Sequence, residues 1–127
     1  MVEELVKSRN KKAFIIDDEE GICTLLSALL KRIGLNSEFS LQLEGAVDQA
    51  SAFYPDVIFL DLNLKDGSGF SILPELRSRL PNAKLIVISA HTENAEKKRA
   101  LDMGATLFLE KPLSTSLIKN TIEQLNI

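Results

Sequence analysis

Cysteine and histidine occur once each in the 127 residues, as Cys23 and His91. A single cysteine excludes an internal disulfide, and its default setting is a reducing, cytoplasmic one. A lone histidine without cysteine partners argues against a thiolate–imidazole metal centre and against a phosphohistidine carrier. Cys23 falls near the apolar stripe of a helix and reads as packing. Long apolar runs are missing as well. None approaches the roughly 20 residues of a membrane helix, and Met1-Val2-Glu3-Glu4 lacks the pattern of a secretion signal. Net charge is only −3, which gives neither nucleic acid nor an anionic membrane a general electrostatic hold. Repeats, low-complexity tracts and internal linkers are absent. What remains, 45% hydrophobic and 26% charged, is the composition of a globular protein. The length allows about one domain with a sizeable core.

What is present is a set of short apolar runs that end in polar residues. Val57-Ile58-Phe59-Leu60 is too short for a free helix and rich in β-branched and aromatic types, so it reads as a strand buried on both faces; Asp61 ends it. Lys12 to Asp18 repeats the pattern and ends in Asp17-Asp18. Lys84 to Ala90 and Thr106 to Leu109 are further buried strands, and Leu35 to Ser40 is a weaker one. Helical spacing lies between them. Ile22, Leu25, Leu26, Leu29, Leu30 and Ile33 form one stripe that stops at Gly34, and Leu43, Val47, Ala50 and Phe53 form another. Phe70, Leu73, Leu76 and Leu80 make a third, in which Pro74 is tolerable in the first turn. A fourth helix, capped by Thr92, runs through Met103 to Gly104, and Ser114 caps a last one with Ile118, Ile122 and Leu125 inward. Asp66-Gly67 reads as a plain turn.

Five strands alternating with five helices predict an α/β fold built of right-handed βαβ units, an open parallel sheet with helices on both faces. A closed barrel would need about twice the length. In the flavodoxin-like order 2-1-3-4-5, ligands bind at the carboxyl ends of the strands, where the first and third strands part. Those are the two strands that end in acids. Residues 1–10 read as a short polar lead-in and 11–127 as the domain.

Carboxylates of Asp17, Asp18 and Asp61 brought together would repel unless a cation relieved them. Mg²⁺, with Mn²⁺ as a substitute, suits oxygen ligands and commonly bridges carboxylates to phosphate oxygens. The other strand ends offer a hydroxyl, Ser89, and an ammonium, Lys111, the groups a transferred phosphoryl needs around its oxygens. The set reads as an aspartate nucleophile with a cation clamp and two phosphate-oxygen ligands. Taken singly, each residue has a plainer reading: Asp17 to Glu20 as helix-start acids, Asp61 and Asn63 as turn residues, Ser89 and Lys111 as solvated surface groups.

The chain resembles the receiver domain of two-component response regulators over residues 11 to 127. The resemblance rests on Phe14-Ile15-Ile16-Asp17-Asp18-Glu19, on Val57 through Leu64 with Asp61 within it, on Asp66-Gly67-Ser68-Gly69-Phe70, on Ile86-Val87-Ile88-Ser89-Ala90, on Met103-Gly104-Ala105 and on Phe108-Leu109-Glu110-Lys111-Pro112. It implies that Asp61 is the phosphoacceptor of a histidine kinase or histidine phosphotransfer protein. Asp18, Asp61 and the backbone carbonyl of Asn63 are then the Mg²⁺ ligands, with Asp17 acting through water. Ser89 becomes the switch hydroxyl, Lys111 the partner of the phosphoryl group and Phe108 the switch aromatic, and Lys111-Pro112 is expected to be cis. The surface of the fourth helix, fifth strand and fifth helix, about Thr92 to Leu125, is the expected output face for an effector or effector domain. The resemblance leaves room for a homodimer on phosphorylation and implies no direct contact with nucleic acid or membrane. Two departures stand out: Lys65 where the family often has proline, and Phe108 where some members have tyrosine.

The function so implied is a signalling phosphoacceptor that assists its own phosphorylation and dephosphorylation without being an enzyme in the usual sense. An aspartate-nucleophile phosphatase is disfavoured by Asn63, which stands where such enzymes carry a second Asp, and by the lack of length for a cap domain. A phosphorylation-independent interaction module with the same fold is the alternative. Flavin binding is weaker, because no phosphate-cradling loop follows the first strand. The residues leave open whether this is a stand-alone regulator, a relay shuttle or a piece of a longer protein.

Overall fold

The computed structural model describes residues 11–91 and 93–127. The expected lead-in, 1–10, and the expected cap Thr92 lie outside the described residues. The chain runs β1 (Lys11–Ile16), α1 (Glu20–Arg32), β2 (Leu35–Ser40), α2 (Ala46–Phe53), β3 (Val57–Asp61), α3 (Leu73–Arg79), β4 (Lys84–Ser89), α4 (Asn94–Asp102), β5 (Leu107–Glu110) and α5 (Thr115–Leu125). A two-residue antiparallel ribbon, Asn63–Leu64 against Gly67–Ser68, and a 3₁₀ turn, Gly69–Ser71, lie between β3 and α3.

The five strands form one parallel sheet in the order β2-β1-β3-β4-β5, as the spacing predicts. Side chains alternate along each strand, so two cores form. Phe14, Ile16, Ile58, Leu60, Leu85 and Val87 pack with α2, α3 and Ala100 of α4. Ala13, Ile15, Val57, Phe59, Ile86 and Ile88 pack against α1 and Ile118 of α5. Every residue of β3 is buried because that strand is central and covered on both faces.

The apolar stripes become buried faces with two adjustments. In α1, Cys23, Leu26, Leu29 and Leu30 are buried, whereas Leu25, at the edge of the stripe, is 55% exposed. The third stripe divides: Phe70 belongs to the 3₁₀ turn, and the helix proper begins at Leu73 with Pro74 in its first turn. Proline lacks an N–H and holds a helical φ, so it suits a start and resists being placed further inside. Gly34 and Gly104 follow α1 and α4 with φ of 98° and 112°, and the Ser114 hydroxyl accepts from the Leu117 N–H at 3.0 Å. Lys111-Pro112 is cis. No described helix is long and apolar enough to cross a membrane.

Arg77 ties α3 to the strands that follow. Its guanidinium donates to the carbonyls of Gly104 (2.9 Å), Ala83 (2.8 Å) and Pro81 (3.1 Å) and to Thr106 Oγ1 (3.3 Å). Several acceptors spread over Nε, Nη1 and Nη2 match a guanidinium and not a point-like ammonium. Arg77→Ala is therefore expected to cost about 2 kcal/mol or more, and Arg77→Lys to recover less than half of that, read as urea unfolding midpoints at constant m.

Candidate functional site

In a parallel sheet with this order, the C-terminal ends of β1, β3, β4 and β5 lie along one edge. Asp17 and Asp18 follow β1, Asp61 ends β3, Ser89 ends β4, and Lys111 follows β5. Main-chain hydrogen bonds fasten these ends to their neighbouring strands. The Asp17 N–H donates to Ser40 O (3.1 Å), the Leu62 N–H to Ile88 O (3.2 Å) and the Lys111 N–H to Ser89 O (2.9 Å).

The acids do converge. Asp17, Asp18, Glu19 and Asp61 each present a carboxylate oxygen, all within 4.8 Å of one another. Asp17 and Asp61 are buried, at 0% and 2% exposure; Asp18 is half-buried and Glu19 exposed. The Lys111 ammonium sits among them, 3.0 Å from Asp17 Oδ2, 3.2 Å from Asp61 Oδ2 and 3.3 Å from Glu19 Oε1. Main-chain amides hold other carboxylate oxygens. The Glu19 N–H donates to Asp17 Oδ1 (2.9 Å), the Asn63 N–H to Asp61 Oδ1 (3.1 Å) and the Lys65 N–H to Asp18 Oδ2 (2.7 Å). Asp17 Oδ2 is buried, and Lys111 is its charged neighbour at 3.0 Å.

Crowding and burial set the protonation. Burial pushes the Asp17 carboxyl above the usual carboxylate range, opposed by the Glu19 amide and Lys111. Burial also raises Asp61, with the neighbouring Asp17 charge adding and the Asn63 amide and Lys111 opposing. Burial alone would lower Lys111, but the carboxylates of Asp17 and Asp61 outweigh it and hold the ammonium well above its ordinary value. The Cys23 thiol, pushed up to about 12 by burial and the nearby acids, is buried and donates to Asp17 O at 3.3 Å, which favours packing over thiolate chemistry.

Ser89 is fully buried, and its hydroxyl accepts from the His91 N–H at 3.0 Å. Phe108, half-buried on β5, packs on the core shared by α2, α3 and α4, with the Lys97 ammonium 5.9 Å above its ring. Asn63 is exposed and opens the ribbon. Sequence reasoning assigned less to three residues than the structure does. Glu19 reads as a helix-start acid, yet its carboxylate reaches Lys111. Asp66 reads as a plain turn residue, yet its carboxylate accepts from the amides of Leu43 (2.9 Å) and Glu44 (3.3 Å), which clamps the loop before α2. Gly69 lies so close to Asp61 that a Cβ there would overlap the Asp61 carbonyl oxygen. Only Gly69 carried a signal, a glycine soon after a turn.

The family model described as the response regulator receiver domain matches residues 13–123. Among curated proteins, the chain is 33% identical to the alkaline phosphatase synthesis transcriptional regulatory protein PhoP of Bacillus subtilis over 83% of this chain and 44% of that one. It is 40% identical to the transcriptional regulatory protein KdpE of Mycobacterium tuberculosis over 77% of this chain and 43% of that one. The chain thus spans about half the length of the curated relatives it matches. Among solved structures, a response regulator protein of Burkholderia pseudomallei with a phosphorylated aspartic acid, a calcium ion and citrate superposes with a TM-score of 0.82 at 25% identity, over 92% of this chain and 73% of that one.

The raised carboxyls of Asp17 and Asp61 bind their protons more tightly folded than unfolded. Their contribution is therefore fully favourable at acid pH, below the unfolded value of 3.8, and is lost as pH rises through the higher folded values. With divalent cations chelated, Asp61→Asn is expected to raise stability at pH 7 by about 1 kcal/mol, or a few degrees in Tm, and to flatten the pH dependence. Thermal unfolding of both proteins between pH 4.5 and 7.5 in excess chelator checks it.

Proposed function

The chain belongs to the response regulator receiver domain family, and from that premise we propose that Asp61 accepts a phosphoryl group from a phosphohistidine on a partner protein, a histidine kinase or a histidine phosphotransfer protein. The family's work is signalling and not metabolic turnover. The single observation that carries the reading is the buried Asp61 carboxylate with one oxygen held by the Asn63 amide and the other 3.2 Å from Lys111.

The donor set fits a hard divalent cation: four carboxylates, each with an oxygen within 4.8 Å of the others, around a single ammonium. In this reading Asp18, Asp61 and the main-chain carbonyl of Asn63 hold Mg²⁺, or Mn²⁺, and Asp17 acts through water. Bound there, the cation neutralises charge on the phosphoryl oxygens. The protein's own groups do the rest. An Asp61 oxygen forms the new bond to phosphorus as the bond to the donor imidazole nitrogen breaks, and the electron pair stays with that nitrogen. Lys111, already among the acids, moves its ion pairing from the Asp61 carboxylate to the phosphoryl group. Ser89 turns from the His91 amide to donate its hydroxyl to a phosphoryl oxygen. Phe108 follows, and the face formed by α4, β5 and α5 presents the phosphorylated state to an effector, to an effector domain or to a second copy. Residues 11–127 are the switch unit in this reading and its compartment is the cytoplasm. The relatives' names, transcriptional regulatory proteins, support an output in transcription.

Acetyl phosphate or phosphoramidate with Mg²⁺ is expected to add one phosphoryl group to the wild-type protein and none to Asp61→Ala, read by intact mass. Omitting Mg²⁺ should abolish the adduct. No adduct on the wild type, or an equal one on Asp61→Ala, would overturn the reading in favour of a phosphorylation-independent interaction module.

A further inference from the structure

Three acids at the sheet edge each have one oxygen tied to a main-chain N–H, but the ties differ in kind. Asp17 and Asp61 take theirs from residues two positions downstream, Glu19 and Asn63, in local turns. Asp18 takes its tie from Lys65, 47 positions away, at 2.7 Å. Among the described residues this is the one hydrogen bond made by the Asp18 carboxylate. Lys111 is within ion-pair distance of Asp17, Glu19 and Asp61, and among the described residues no ion pair holds Asp18. Asp18 is also less buried than Asp17 and Asp61, so packing restrains it less.

The donor, by contrast, is held firmly. Lys65 sits in the turn of the ribbon, whose strands pair Asn63 with Ser68 and Leu64 with Gly67. Asp66 pins the next residue to the amides of Leu43 and Glu44. The Gly69 N–H donates to Leu62 O at 2.9 Å and closes the far side of the ribbon onto the backbone after Asp61. A rigid donor thus meets an otherwise free acceptor.

We propose that the main-chain N–H of Lys65 positions Asp18 for cation binding, by fixing one of its carboxylate oxygens and leaving the other for the ion. The inference rests on the cation site of the preceding reading. The positioning group is a backbone amide, so its effect is independent of the lysine side chain, which is exposed. It requires that residue 65 not be proline, the one residue without an N–H. Groups that orient metal-binding carboxylates from behind typically alter metal affinity by about 10- to 100-fold.

Mn²⁺ binding to the metal-free protein, followed by electron paramagnetic resonance of the free ion, compares Lys65→Ala, which keeps the N–H, with Lys65→Pro, which removes it. The expected result is a Kd within about twofold of wild type for Lys65→Ala and about tenfold weaker for Lys65→Pro. In parallel, ¹H–¹⁵N spectra of the metal-free wild type should show the Lys65 amide shifted downfield and slow to exchange with solvent, and both features should be lost in Asp18→Ala. Equal Mn²⁺ affinity in wild type and Lys65→Pro would overturn this inference alone. Failure of the wild type itself to bind Mn²⁺ would overturn the cation site and this inference with it. Should Lys65→Pro prove unfolded by its thermal transition, the amide decides: a Lys65 N–H unchanged by Asp18→Ala overturns the inference.

Discussion

The ammonium of Lys111 is the contact on which the site depends. A parallel sheet brings every strand out at the same edge, so acids at strand ends are forced together whatever their charge. Two of these carboxylates are buried, where water screens them least. Among the described residues Lys111 is the one cation within ion-pair reach of Asp17, Glu19 and Asp61. One positive charge against four carboxylates leaves an excess of negative charge.

That imbalance also explains how the backbone is used. Amides of Glu19, Asn63 and Lys65 point at carboxylate oxygens and add partial positive charge without adding a side chain. The ribbon after β3 brings two of the three amides to the site. Gly69 lets it lie flat against Asp61, and Asp66 fixes it to the loop before α2. The segment that looks like a mere turn therefore lines the site, with its amides on Asp61 and Asp18.

The sheet and most of the site were legible in the sequence for a simple reason. A strand buried on both faces must be a short apolar run, and a polar residue directly after it must stand at the edge. Asp17, Asp18, Asp61 and Ser89 end or directly follow such strands, and Lys111 follows the last one. Helical stripes were legible on the same ground, except where chain chemistry interfered: Pro74 delays the start of α3, and Leu25 sits on the flank of its stripe. What could not be read were contacts made by groups that every residue carries. The Lys65 amide looks like any other amide until the fold brings it to Asp18. Asp66 was hidden differently, because a turn aspartate and a clamp aspartate share one sequence signature.

β5 is the outermost strand on its side and pairs with β4 alone. Its alternate residues serve different layers: Phe108 packs with the helices of one face, Leu107 and Leu109 with those of the other, and Lys111 follows at its end. A central strand could not shift without disturbing two ladders, whereas this one is restrained by a single seam. Under the proposed switch it would act as a hinge leaf, and a tug on the amine that follows it would be felt above and below the sheet at once.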